Sequence, residues 1–168
     1  SYEMLAGKPP HNAMADSETP EPRRSYSADQ IRSLRLGYYA NVTQIDRKVG
    51  EIVAALKARG EYDNTLIFFT TDHGDYMGDF GLVAKGQHVH DVLMRIPFVV
   101  KPPAGGVAGK RESALVSSVD VAATCLKAAG ADVPAAMASQ DLSGYWQTPN
   151  DLDDRDTLYM EAGGIRVL

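Results

Sequence analysis

An α/β fold, a mixed and mainly parallel sheet flanked by helices, is what this sequence predicts, on three observations. Thr65–Thr71 (TLIFFTT) is an apolar run without a charge. It is too continuous for a half-exposed strand and too short for a helix, so it reads as a central parallel strand buried on both faces. A long amphipathic helix precedes it. A second apolar strand, Ile96–Lys101 (IPFVVK), and a helical segment, Ser118–Gly130 (SVDVAATCLKAAG), follow it.

Taken in order, Ser1–Arg24 is rich in Pro, polar and small residues, has no helical or strand period, and reads as a loop or extended surface segment. Its His11, in Lys8-Pro9-Pro10-His11, is read as a solvated loop histidine. Ser27-Ala28-Asp29-Gln30 is a capping box, in which the serine accepts from the helix N3 amide while Gln30 reaches back. The helix it opens, Ala28–Arg59, carries Ile31, Leu34, Tyr38, Val42, Ile45, Val49, Ile52, Val53 and Leu56 in steps of three and four, which make one apolar stripe. At 1.5 Å per residue it would span roughly 48 Å, long enough for a bend. Asp46 lies at the stripe's edge and reads as an ion-pair or cap residue, and Gly60 is a natural helix stop.

Pro102-Pro103 ends the second strand, and a glycine loop, Gly105–Gly109, follows. Ala114–Ser117 is a further short strand by this reading, and Asp120 sits in the first turn of the next helix, where a carboxylate favours the dipole. Asn150–Asp156 is an acidic turn and Thr157–Glu161 a final strand. No repeat or shift of composition marks a second domain. Residues 1–168 are therefore expected to form one incomplete domain, with 1–26 a loop or extended segment and 27–168 the α/β core portion.

The chemistry concentrates where the first strand ends. Ligands of open α/β sheets bind beyond the carboxyl ends of their strands, and there Asp72-His73-Gly74 gives way to a glycine-rich acidic loop and then Lys85. A carboxylate and an imidazole can share a metal, and metal ligands beside a fixed cation suit a tetrahedral oxyanion. Against this stands the bland alternative that Asp and Gly commonly end strands. Asp75 and Asp79 read as loop-shaping Asx residues. His88-Val89-His90 would put two imidazoles on one face of a strand. His90, however, reads as the start of a connecting segment, which leaves His88 as a candidate substrate contact. Arg95 reads as an ion-pair anchor.

Thr71-Asp72-His73-Gly74 followed by Gly81-Leu82-Val83-Ala84-Lys85 resembles the sulfatases of the alkaline phosphatase superfamily, whose signature here is S/T-D-H/N-G, an acidic glycine loop and G-L-x-x-K. Tyr38–Gly50 (YYANVTQIDRKVG) resembles the family's Y-x-x-x-V-T-x-I-D-x-x-x-G helix, and Met94–Val100 its R-x-P-hydrophobic strand. Ser118–Gly130 resembles its D-l-a-P-T-l-l-d-l-a-G segment, with Ala123 in place of the proline. Tyr159–Arg166 resembles its late strand and glycine turn. The resemblance implies that Asp72 and His73 bind a divalent cation and that Lys85 contacts sulfate.

Such enzymes usually take Ca²⁺. The imidazole of His73 suits Mn²⁺ or Zn²⁺ as well. The implied substrate is a sulfate-ester small molecule or glycan, attacked by a formylglycine made from a C/S-x-P-S-R segment. Neither that segment nor the Asp-Asp metal pair that the family carries near the start of its domain is present in these 168 residues. The chain is accordingly expected to be the carboxyl-terminal portion of the domain, with the amino-terminal part as its partner and no activity alone. Phosphonate monoester and phosphodiester hydrolases of the same superfamily share the Asp-His pattern and stay open, as does a non-catalytic truncated domain. Cys125, the only cysteine, lacks the nucleophile's context, and its neighbours Val121, Ala122 and Leu126 suggest a small buried residue.

Composition is that of an ordinary globular protein, with 44% hydrophobic and 23% charged residues. A net charge of −5 argues against a nucleic-acid partner, which a basic patch would mark. No run approaches the ~20 apolar residues of a membrane-crossing helix, and a single cysteine excludes an internal disulfide.

Overall fold

The first helix begins where the sequence places its cap. The Ser27 amide donates to Gln30 Oε1 at 2.9 Å, and the Gln30 amide donates to Ser27 Oγ at 3.3 Å. This is the reciprocal capping box. The computed structural model describes residues 26–86, 88–104, 106–107, 109–147, 155–162 and 165–167. Helix α1, Ala28–Ala58, runs 31 residues. It ends in a Schellman motif: the Gly60 amide donates to the Lys57 carbonyl and the Glu61 amide to the Leu56 carbonyl, with Gly60 at φ 69°. None of its residues is buried. Ile31, Leu34, Val49, Val53 and Leu56 of the apolar stripe are half-buried, whereas Ile45 and Ile52 are 53% and 61% exposed. Asp46 is exposed and forms no ion pair among the described residues; that turn's pair is Lys48 with Glu51 at 2.8 Å.

The chain divides into two compact units, one holding the chain to Ile52 with His73–Ile96 and Glu161–Arg166, the other Val53–Asp72 with Pro97–Met160 and Val167–Leu168. In the second unit, β1 (Ile67–Thr70) pairs with β2 (Phe98–Lys101) in register Ile67↔Lys101 to Thr70↔Phe98. The pairing is antiparallel, which corrects the expectation of a parallel neighbour for this strand. A parallel return needs a crossover of a dozen or more residues, usually a helix, and among the described residues the α-helix between these strands is the four-residue α2, Asp91–Met94. Burial on both faces is corrected too. Phe68, Thr70, Phe98 and Val100 share the more covered face, with Phe68 and Phe98 edge to face at 5.9 Å. On the other face Phe69 is 40% and Val99 59% exposed.

Lys101 closes β2. Its ammonium donates to the Tyr62 carbonyl and, at 2.9 Å, to the Thr65 carbonyl, and lies 4.2 Å from the centre of the Tyr62 ring. Ala114–Ser117 forms no strand, and the final strand begins later than expected: β3, Met160–Ala162, pairs with β4, Ile165–Val167. The acidic turn 150–156 and the loop 105–109 lie partly outside the described residues, and His11 lies wholly outside them.

The second unit's core gathers on α3, Asp120–Ala128, and α4, Gly144–Gln147. Asp120, Ala123 and Thr124, one helical face, are buried with Leu142 and Trp146. Cys125 is exposed, correcting the expectation of a buried thiol. It lies one step of about 100° beyond Thr124 and so turns off the buried face. Thr124 Oγ1 donates to the Asp120 carbonyl at 2.7 Å and accepts from the Leu142 amide at 3.0 Å, satisfying a buried hydroxyl twice.

Asp120 does more than face a helix dipole. Its carboxylate accepts from the amides of Ser117 and Gln140, each at 2.8 Å, and from both Arg155 nitrogens at 2.7 and 2.6 Å. Burial pushes its pKa up, but the bonds from Arg155, Gln140 and Ser117 and the guanidinium charge outweigh burial and hold it below the ordinary 3.8. The stability this contributes is present above pH 3.8 and is lost as pH falls through that value toward the lowered folded one. Arg155→Ala would leave a buried carboxylate with two amide donors, so it should cost about 3 kcal/mol at pH 7, the low end for breaking a buried pair. The deficit should shrink below pH 4, where the carboxylate protonates. Denaturant titration of the intact protein at both pH values checks this; an unchanged midpoint at pH 7 contradicts it.

Candidate active site

β1 delivers Asp72 just past its last residue. Thr70 Oγ1 donates to the Thr71 carbonyl at 3.4 Å, and Thr71 Oγ1 donates to Asp72 Oδ1 at 3.2 Å, leaving the carboxylate exposed at the strand's carboxyl end. Asp72 is the last residue of the stretch 53–72 of the second unit, and His73 is the first of the stretch 73–96 of the first. His73 Nδ1 lies 2.7 Å from the Gly74 carbonyl oxygen. A carbonyl only accepts, so Nδ1 carries the hydrogen. Fixing one ring nitrogen in this way selects the tautomer with which a histidine binds a metal.

Gly74 is required by packing. A Cβ there would stand 1.9 Å from the Val92 carbonyl oxygen. The Gly74 amide donates to the Leu93 carbonyl at 2.7 Å. The backbone of α2 thus presses directly on the residue after His73, and any side chain would part them. The reading of Gly74 as a strand terminator misses this contact.

Beyond Gly74 the chain makes a tight loop. Asp75 Oδ1 accepts from the Met77 amide at 2.9 Å, an Asx turn as expected. Asp79 acts otherwise: it pairs with Arg35 of α1 at 3.4 Å, and Arg35 Nε donates to the Met77 carbonyl at 2.7 Å. The Tyr76 amide donates to the Ala84 carbonyl at 2.9 Å and the Gly78 amide to the Leu82 carbonyl at 2.8 Å, around a 3₁₀ turn at Asp79–Gly81. Met77, Phe80 and Ala84 all take left-handed backbone, at φ 49°, 58° and 59°. Each such residue costs about 1–2 kcal/mol. Strain of this kind persists only where its surroundings over-determine it, and it gathers at functional sites.

Lys85 follows Ala84 directly. Its side chain is exposed and makes no hydrogen bond or ion pair among the described residues. His88 is half-buried, its ring 5.5 Å from that of His90. His90 caps α2 through its carbonyl, which accepts from Leu93 and Met94, as expected of a connecting segment. Its Nδ1 is 2.8 Å from the hydroxyl of Tyr76, which is 2% exposed. Sequence reasoning misses this pair; a large aromatic inside a polar glycine loop is the signal that was available. Arg95 pairs with Asp91 at 3.9 Å, both nearly fully exposed, a contact of little energetic weight.

Among the described residues no three His, Cys, Asp or Glu side chains converge on one point; the carboxylate of Asp72 and the imidazole of His73 are each of a donor type that suits a divalent cation. Cavities of about 550 Å³ against the first turns of α1 and about 510 Å³ beside β2 are lined by neither these two residues nor Lys85. Chemistry rather than concavity marks the candidate site.

The family model for Sulfatase matches residues 4–131 of this chain. The chain belongs to the sulfatase family. Among similar proteins, the multifunctional alkaline phosphatase superfamily protein PehA of Trinickia caryophylli is 34% identical over 134 residues, 79% of this chain and 26% of that protein. The N-acetylglucosamine-6-O-sulfatase of Bacteroides thetaiotaomicron is 35% identical over 97 residues, 58% of this chain and 17% of that protein. The phosphonate monoester hydrolase SpPMH of Silicibacter pomeroyi superposes with a TM-score of 0.70 at 30% identity, covering 76% of this chain and 25% of that one. This sulfatase chain therefore has the α/β fold of the alkaline phosphatase superfamily, as its sequence predicts. It spans 17–26% of the length of these relatives.

Proposed function

We propose that this sulfatase segment supplies part of the active site of a sulfuric ester hydrolase whose nucleophile lies outside these 168 residues. The observation that carries the proposal is the family's Thr71–Gly74 and Gly81–Lys85 pattern, with a carboxylate exposed at a strand end and an imidazole whose Nδ1 is already committed to a carbonyl. Asp72 and His73 would hold a divalent cation. The carboxylate suits Ca²⁺, and the imidazole suits Mn²⁺ or Zn²⁺ as well. Such an ion, when bound, polarises sulfate oxygens and so favours attack at sulfur. Lys85 would place its ammonium against the charge that builds on the sulfuryl or leaving oxygens, with His88 as a further substrate contact. An exposed cation held on a loop fixed by hydrogen bonds needs little reorganisation as that charge develops.

The substrate is a sulfate ester of a small molecule or a glycan, supported by the name of the Bacteroides relative, an amino-sugar sulfatase. Cleavage of a phosphonate monoester or phosphodiester is the second reading, favoured by the Asp-His pair and by the likeness to a phosphonate monoester hydrolase. Incubating the intact, metal-loaded protein with 4-nitrophenyl sulfate should release sulfate and nitrophenol together. No release from a protein with metal bound would overturn the sulfatase reading.

A further inference from the structure

Between Gly74 and α2 the chain holds a strained loop, and Lys85 stands at its end. The three left-handed non-glycine residues, Met77, Phe80 and Ala84, lie within eight positions of one another, the last adjoining Lys85. Unbraced, such a segment would relax to ordinary backbone and carry Lys85 with it. Arg35 of α1 holds the near side of the loop through the Met77 carbonyl and Asp79, and Tyr76 holds the side next to Lys85. Tyr76 binds the far side of the loop through its amide, 2.9 Å from the Ala84 carbonyl, and accepts the Asp79 amide at 2.7 Å. Its ring is buried, edge to face with Phe80 at 6.3 Å and with His90 at 5.7 Å. Its hydroxyl meets His90 Nδ1 at 2.8 Å. His90 in turn stacks near Phe80 at 5.0 Å and is fixed by capping α2.

We infer that Tyr76 and His90 are positioning residues for Lys85: their hydrogen bond ties the loop to α2, and the Tyr76 amide transmits that anchorage to Ala84 and so to the lysine. Both residues act through Lys85 and neither touches substrate. The inference rests on the proposed role of Lys85 as the sulfate-facing cation. The Tyr76–His90 bond links the loop to the residue that caps α2, so losing it should open the loop threefold to tenfold more often, the range a single hydrogen bond allows.

Two readouts on the intact protein test this. Trypsin cleavage after the exposed Lys85 speeds up as the loop's backbone opens more often to enter the protease. Tyr76→Phe and His90→Leu should speed that cleavage threefold to tenfold, with the thermal midpoint held within a few degrees. His90→Asn, whose amide group stands where Nδ1 was, should restore the wild-type rate. In turnover of an aryl sulfate, Tyr76→Phe should lower kcat by a similar factor with KM unchanged, yet cause no further loss when added to Lys85→Ala. Unchanged cleavage in both Tyr76→Phe and His90→Leu overturns the inference. So does a double variant whose losses multiply, because the tyrosine would then act independently of the lysine. An intact protein that turns over no aryl sulfate defeats the proposed function, and the cleavage rates alone then decide whether the pair holds the loop.

Discussion

Alanine in place of Asp72 or His73 is expected to strip the intact protein of metal and of turnover together. On the proposed reading each would supply one donor to the cation, and no three described His, Cys, Asp or Glu side chains converge to replace it, so losing either would weaken the ion's ligation. Lewis-acid stabilisation of developing charge is worth several kcal/mol, which corresponds to a fall in kcat on the order of 10³. His73→Ala has a second consequence: the Gly74 carbonyl loses the Nδ1 donor that it now has at 2.7 Å. Asp79→Ala is the internal comparison. Its carboxylate is tied to Arg35 rather than to the candidate site, and metal content should be retained. Elemental analysis beside steady-state kinetics reads both quantities; normal metal in both alanine variants would remove Asp72 and His73 from the ligand set.

Lys85→Ala is the other large effect. The substitution removes the cation of the proposed site and leaves Asp72 and His73 in place. Loss of a single such group costs about 10²–10³ in turnover. Because the lysine faces solvent, protein stability should hardly change, so a fall in kcat at an unchanged thermal midpoint and unchanged metal content is the expected pattern. Lys85→Arg should recover little, because a planar guanidinium delivers its charge differently from an ammonium. Turnover equal to wild type in Lys85→Ala would make this residue a surface charge.

What was legible in the sequence is what is decided locally. Ser27 with Gln30, Gly60 at the end of α1 and Asp75 in its Asx turn each answer to neighbours a few residues away, and the structure places all three as their chemistry requires. The strand Ile67–Thr70 was legible as a strand but not in its pairing, because an uncharged run indicates burial and says nothing of a partner's direction. Half of that burial is absent among the described residues, where Phe69 and Val99 face outward. Asp120 with Arg155, 35 positions apart, and Tyr76 with His90, 14 apart, lie beyond any local period. Cys125 was misread because its apolar neighbours surround it in sequence, while the buried face of α3 runs through Asp120, Ala123 and Thr124. The candidate site stood out because Asp72, His73 and Lys85 sit on one short segment with a family pattern. The reason for Gly74, the pressure of the Val92 carbonyl, required the fold.

The central claim is that Asp72, His73 and Lys85 serve sulfate-ester cleavage. The most direct measurement is kcat/KM of the intact, metal-loaded protein for the sulfate and the methylphosphonate monoester of one phenol, which share a leaving group and differ only at the transferred centre. The higher value is expected for the sulfate, with turnover lost on chelation and restored by divalent cation. A higher value for the phosphonate, or no turnover of the sulfate by protein with its metal bound, would contradict it.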